Sequence, residues 1–242
     1  MANSQFQSLI DEGERIVFFG GAGTSTESGI PDFRSAAGLY QKRHHFEYPP
    51  EVMLSRSFFQ KHTEEFYSFY YEAMLHPDAC PNAAHLTLAK LEEAGKLSAI
   101  ITQNIDGLHQ KAGSKCVLEL HGSVHLNTCL DCGRIYGLEH ILEAEGKVPV
   151  CKDCGGIVKP DVVLYEDSLD FHVIEQAALE LSRADVVIVG GTSLTVQPAA
   201  SLIQAYTGPN LVLMNRTPTH MDHLAKLVLR EPMGELFSAL TI

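Results

Sequence analysis

The chain has 242 residues, 45% of them apolar and 20% charged, so it can hold one large domain, or one domain with a smaller module, and bury a core without disulfides. This composition excludes a disordered, collagen-like or coiled-coil chain, and no apolar run approaches the roughly 20 residues that span a bilayer. Lys and Arg number 18 against 30 Asp and Glu, and the net charge of −12 repels phosphate backbones while tolerating basic peptides.

No direct nucleic-acid partner and no membrane is therefore expected. Met1-Ala2-Asn3-Ser4-Gln5 carries no cationic region and no apolar core follows it, so a cytoplasmic location is expected. Ser4 to Glu12 has helical spacing, with Phe6, Leu9 and Ile10 on one side. Arg15 to Phe19 is a short apolar run bounded by Gly13 and by Gly20, Gly21 and Gly23, the pattern of a buried parallel strand. Helices are predicted over Phe58–Leu75 and over Asn82–Glu93, the latter ended by Gly95. A strand follows at Ser98–Thr102. After the midpoint come a helix at Asp170–Ser182, a strand at Ala184–Gly190, a helix at Ala199–Ala205 and a strand at Asn210–Asn215. Strands alternating with helices predict an α/β fold with an open, mostly parallel sheet.

One stretch breaks this rhythm. From His125 to about Pro160 there are four Cys, several Gly and no long helical period. Four cations against five anions leave it nearly neutral. It reads as a small inserted module, residues 125–160, within a large domain made of 1–124 and 161–242. Cys129-x2-Cys132, 18 residues, then Cys151-x2-Cys154 fits a four-thiolate zinc pattern. Four thiolates leave no open position, so one zinc here would be structural. Gly133 and Gly155 follow the second Cys of each pair, where the chain must turn sharply. The alternative is two reduced pairs without metal. Cys80 and Cys116 lie outside the pattern and read as small buried or half-buried side chains.

Gly20-Gly21-Ala22-Gly23-Thr24-Ser25-Thr26 follows the first strand, where bare backbone can approach a pyrophosphate. The dinucleotide fingerprint is only partly present, because Thr26 stands at its third glycine, and the turn is not a Walker loop. Gly190-Gly191-Thr192-Ser193 and Asn215 close two further strands. In open α/β sheets ligands bind outside the carboxyl ends of the strands, so these ends predict one shared nucleotide cleft. Gln103-Asn104-Ile105-Asp106 also follows a strand and supplies two amides and a carboxylate. His121, followed by Gly122, is a candidate general base.

In their order, Gly21-Ala22-Gly23-Thr24-Ser25, Gly29-Ile30-Pro31-Asp32-Phe33-Arg34, Gln103-Asn104-Ile105-Asp106, His121-Gly122, the Cys pairs, Gly191-Thr192-Ser193 and Asn215 resemble a sirtuin. Sirtuins are NAD-dependent protein lysine deacylases. The likeness covers roughly residues 8 to 240, and the small size resembles compact prokaryotic members. It implies a Rossmann-like domain beside a small zinc domain to which residues about 35–80 lend helices. It also implies a monomer acting on acetylated lysine in proteins or peptides.

The implied reaction is an exchange. The acyl-lysine oxygen attacks C1′ of the nicotinamide ribose and nicotinamide leaves. His121 then acts as general base on the ribose hydroxyls, giving free lysine and 2′-O-acetyl-ADP-ribose. Asn104 would hold a water or a ribose hydroxyl, and Ile105 and Asp106 the nicotinamide amide. Phe33 would cover the reactive ribose and Arg34 would meet phosphate. Gly21, Ala22, Gly23, Thr26, Asp32, Tyr40, Gln103, Gly191, Thr192, Ser193, Asn215, Arg216 and Met233 complete the NAD-binding residues that the likeness implies. Val162, Val163, Leu164 and Tyr165 resemble the strand to which a substrate peptide adds by backbone pairing.

Two departures stand out. Leu164-Tyr165-Glu166 occupies the place where the family often has Phe-Gly-Glu. Desuccinylating sirtuins resemble one another in a Tyr-x-x-Arg pair, whereas Tyr67-Ser68-Phe69-Tyr70 supplies no Arg, so acetyl or longer apolar acyl groups are expected over succinyl. The same cleft could serve a mono-ADP-ribosyltransferase. A non-catalytic NAD or acetyl-lysine module is disfavoured by the presence of His121 and Asn104. A hydride-transferring dehydrogenase is disfavoured because an expelled nicotinamide cannot carry hydride.

Overall fold

The computed structural model describes residues 2–35, 38–40 and 46–242. Met1 and residues 36–37 and 41–45, part of the 35–80 stretch considered above, lie outside it. The amino-terminal half runs α1 (Ala2–Glu12), β1 (Ile16–Gly20), a 3-10 turn (Ala22–Ser28), α2 (Pro50–Met53), α3 (Arg56–Lys61), α4 (Thr63–Ala73), α5 (Ala83–Glu93), β2 (Leu97–Thr102), α6 (Leu108–Lys111) and β3 (Val117–Glu119). Then follow β4 (Gly122–Cys129), β5 (Ile135–Tyr136), α7 (Leu138–Leu142), β6 (Val158–Val162), α8 (Phe171–Arg183), β7 (Val186–Gly190), a 3-10 turn (Ala199–Ala205), β8 (Leu211–Met214), β9 (Leu227–Leu229) and α9 (Met233–Ser238).

Six strands form the main sheet in the order β3-β2-β1-β7-β8-β9, every neighbouring pair parallel. All residues of β1, β7 and β8 are buried because helices cover both faces, which is why these strands are continuous apolar runs. Alternate residues serve two cores. Ile16, Phe18, Ile100, Ile188 and Val212 pack with α1, α5 and α9. Val17, Phe19, Ile101, Val187 and Leu213 pack with α8 and the Ala199–Ala205 turn.

The chain builds outward from β1 in one direction, then returns to lay β7 on its other side. That reversal opens a crevice above the carboxyl ends of β1 and β7, the place where such sheets bind ligands. No described helix is long and apolar enough to cross a membrane.

A second sheet, β5-β4-β6, is antiparallel and lies over a third core. That core joins Met53, Phe58, Phe66, Tyr67, Phe69 and Tyr70 to Val124, Ile141, Val158 and Val162. The single helix expected over Phe58–Leu75 is two helices. His62, at φ −134° and ψ 51°, leaves the helical region and stacks on Phe58, and the change of direction lets both halves bury their aromatics in one core. Ala199–Ala205 is 3-10 rather than α. The main sheet also has edge strands β3 and β9 and a closing helix α9 that periodicity does not reveal, because two strands of three residues carry no period.

Candidate active site

The register of the main sheet places Gly20, Thr102, Gly190 and Met214 in one row. The residues that follow, 21–26, 103–106, 191–193 and 215–216, therefore leave the sheet at one edge. Two of these turns touch backbone to backbone. Gly23 N donates to Gly191 O at 2.8 Å, and a Cβ on Gly23 would lie 2.6 Å from Gly191 Cα. Gly191 has φ +61°, and a Cβ there would lie 2.4 Å from Thr24 N. Only glycine fits both positions, so the floor of the crevice is bare backbone.

Beside it runs a chain of polar contacts. Asn104 Nδ2 donates to Ser25 Oγ at 3.0 Å, and Ser25 Oγ donates to Asp106 Oδ2 at 2.6 Å. Asp106 Oδ1 accepts from Leu108 N at 2.9 Å, so the carboxylate is anchored at both oxygens. Thr192 Oγ1 donates to Gln103 Oε1 at 3.1 Å, while the buried Gln103 Nε2 has no partner. Asn215 is held through its backbone between Leu229 O and Arg230.

His121 precedes β4. Its Nδ1 lies 2.9 Å from the carbonyl oxygen of Gln103. A carbonyl only accepts, so the neutral ring carries its proton on Nδ1 and leaves Nε2 with a free lone pair. Burial pushes the imidazole pKa down, partly opposed by the Gln103 bond. Neutral His121 is thus the ground state near pH 7, the form a general base requires.

These groups line one cavity of about 840 Å³, within the roughly 300–1,000 Å³ typical of ligand sites. Ala22, Gly23, Thr26, Asp32, Phe33, Arg34, Tyr40, Gln103, Asn104, Ile105 and Asp106 line it from the first half of the chain. His121, Val162–Tyr165, Gly191, Thr192, Ser193, Asn215, Arg216 and Met233 line it from the second. Gly21 stands behind this wall, donating to Gly190 O at 3.0 Å, where a Cβ would lie 2.7 Å from Thr192 Cβ.

The four Cys lie elsewhere, at the end of β4 and in the turns beside the small sheet. Their sulfurs all fall within 4.8 Å of one another. Cys129–Cys154 and Cys132–Cys151 are 3.4 and 3.6 Å apart, too far for a disulfide and close to the about 3.8 Å edge of a tetrahedron around zinc. Gly133 N bonds Cys129 O and Gly155 N bonds Cys151 O, both at 3.0 Å, so the two knuckles repeat one geometry. The donor set fits one structural zinc.

The sequence profile of the Sir2 family matches residues 21–198. The chain belongs to the Sir2 family. A Clostridium acetobutylicum relative named NAD-dependent protein deacetylase is 56% identical over 233 residues, covering 96% of this chain and 95% of its own. A Cutibacterium acnes relative of the same name is 54% identical over 239 residues, covering 99% and 97%. A solved Sir2 complex with a deacetylated p53 peptide and 3′-O-acetyl ADP ribose superposes with TM-score 0.89 at 40% identity, covering 98% of this chain and 96% of the other. A Sir2–p53 peptide–NAD+ complex gives TM-score 0.85, also at 40% identity, with the same two coverages.

Within this Sir2 site, sequence reasoning overlooks Ser25, the link between Asn104 and Asp106. The signal for it is its place at the end of the Gly21-Ala22-Gly23-Thr24-Ser25 motif, to which no role was attached. Tyr67 is fully buried and gives its hydroxyl to Val158 O at 2.5 Å. It is Tyr70, one helical turn on, that lines the cavity with Ala73 and Met74. Residues 162–165, where a peptide is expected to add, are also more self-paired than a free strand edge. Val163 N donates to His121 O, Leu164 N to Asp167 Oδ2 and Tyr165 N to Leu54 O, at 2.9, 3.0 and 2.9 Å.

Proposed function

We propose that this chain is an NAD-dependent protein lysine deacetylase acting on acetylated lysine in proteins or peptides. One observation carries the reading. His121 has its Nδ1 committed to Gln103 O, and its Nε2 lone pair is left free in a residue that lines the same cavity as the bare glycine turns and the Val162–Tyr165 segment. The relatives' names and the ligands of the solved neighbours agree with it.

The site fits NAD on its own features. Gln103 Nε2 is a buried donor awaiting an acceptor such as a ribose hydroxyl. The backbone of residues 21–23 and 191 admits a pyrophosphate without side-chain obstruction, with Arg34 and Arg216 on the cavity wall as cations. NAD supplies the chemistry of a cleavable glycosidic bond and the ribose that takes up the acyl group.

The chain's own residues do the rest. Asn104 and Asp106, fixed through Ser25, present an amide and a carboxylate in set directions, Asp106 toward a carboxamide. Phe33 covers the ribose and excludes water. His121 Nε2 accepts a ribose hydroxyl proton, and the Gln103 carbonyl steadies the cation that results. Val163 and Leu164 carry the peptide backbone past His121.

Residues 125–160 act as the zinc module, with about 35–80 lending helices that share its core. We take the chain to act as a cytoplasmic monomer, and its net charge of −12 favours acetylated proteins over nucleic acid as partners. The test is His121→Ala with an acetyl-lysine peptide and NAD, following O-acetyl-ADP-ribose by mass spectrometry. Turnover should fall by roughly 10²-fold or more while NAD binding persists. Deacetylation with NAD omitted, or label passing from NAD to protein without acetyl-lysine, overturns the reading, the second in favour of ADP-ribosyl transfer.

A further inference from the structure

The loop that carries Phe33 and Arg34 closes on itself through local bonds. Leu39 N donates to Asp32 O at 2.7 Å and Tyr40 N to Phe33 O at 2.9 Å. Its last described residue, Tyr40, supports both functional side chains. The Phe33 ring meets the Tyr40 ring edge-on at 5.5 Å, and the Arg34 guanidinium lies over the same ring at 5.5 Å. From there the Tyr40 hydroxyl reaches the Tyr165 hydroxyl, 2.8 Å away, and both residues line the cavity.

Tyr165 is fixed from behind. Its N–H donates to Leu54 O at 2.9 Å and its carbonyl accepts from Arg56 N at 3.0 Å. Two residues earlier, Val163 N donates to His121 O. Tyr165 keeps 41% of its surface exposed, on the segment where a peptide would lie.

We infer that Tyr165 is a positioning residue whose hydroxyl bond to Tyr40 couples peptide binding to NAD binding. The inference rests on the deacetylase reading for the identity of the two ligands. A peptide lying along Val163–Tyr165 covers the Tyr165 ring and removes water from the hydroxyl pair. The bond strengthens as water leaves, and it holds Tyr40, and with it Phe33 and Arg34, in the NAD-binding arrangement. By linkage, bound NAD improves peptide affinity by the same factor.

The experiment is calorimetric titration of carbocyclic NAD, whose C1′ bond does not cleave, with and without saturating acetyl-lysine peptide. In the wild type the peptide should tighten binding about 5-fold, and in Tyr165→Phe and Tyr40→Phe the factor should fall below about 2-fold. The double variant should lose no more than either single variant, because both remove one bond. No coupling in the wild type, an unchanged factor in Tyr165→Phe, or losses that multiply in the double variant overturns the inference. Should one variant fail to fold, the other decides. Wild-type deacetylation of the same peptide with ordinary NAD, measured first, separates failure of this coupling from failure of the deacetylase reading.

Discussion

Gly122→Ala tests how tightly the placement of His121 depends on one missing side chain. Gly122 has φ +73°, and a Cβ built on it would lie 1.9 Å from the carbonyl oxygen of Asp161. Real contacts of this kind essentially never fall below 3.0 Å, so β4 and β6 must part by more than about 1 Å. The left-handed conformation costs an alanine roughly 1–2 kcal/mol, and forced overpacking roughly 1–3 kcal/mol more. At about 2.1 cal/mol/K per residue, unfolding 242 residues carries about 0.5 kcal/mol/K, so the melting temperature should drop by about 4–10 °C. Gly122 pairs with Val162, and Val163 N holds His121 O, so the displacement reaches base and peptide segment together. A 1 Å misplacement of reacting groups costs about 10²-fold in rate, which is the loss expected in kcat/KM for an acetylated peptide. Gly113→Ala is the control. At φ +108° with nothing within 4 Å it pays the backbone strain without the clash, and it should keep its rate. A Gly122→Ala enzyme that melts within about 2 °C of the wild type and works at full rate would show that the close approach to Asp161 does not place His121.

Acid should weaken the fold through His85 and His109, whose buried rings lie 4.7 Å apart. Burial holds their pKa values down, at about 4 and about 3, so each folded imidazole resists a proton that the unfolded chain accepts near pH 6.5. Stability is then full above about pH 6.5 and lost as pH falls toward about 3, roughly 4 kcal/mol by pH 5 for the pair, measurable by urea denaturation across that range. The pH profile of kcat/KM should place the acid limb due to His121 below about 6.5, and a limb above neutrality would contradict a base made neutral by burial. Cys132→Ser should lower the metal found by atomic absorption and unfold the small sheet, with loss of activity. Succinyl-lysine peptides should show lower kcat/KM than acetyl-lysine peptides, since α4 offers the cavity Tyr70, Ala73 and Met74 and no cation.

The main sheet was readable because its central strands are buried on both faces and close on glycine or a polar residue, as at Gly20 and Gly190. Cysteine spacing marked the zinc ligands for a similar local reason, since a knuckle is a turn of a few residues. What stayed hidden depends on long-range packing. Six polar residues, Gln60 to Glu65, interrupt the apolar pattern of Phe58–Leu75 around His62, but a gap of that length fits one helix as well as two, and the shared aromatic core explains the bend there. Tyr67 and Tyr70 lie three positions apart, and nothing local says which one faces the cavity. Ser25 acquires its role only when β1 and β2 bring it to Asn104 and Asp106, residues about 80 positions away.

β4 begins at the residue after His121 and ends on Cys129. That one strand therefore joins the proposed proton acceptor to the first cysteine of the cluster that fits zinc. None of the four cysteines lines the cavity, so the cluster bears on the site only through the strand that it ends. A change at Cys129 reaches His121 along that backbone and not through a shared surface.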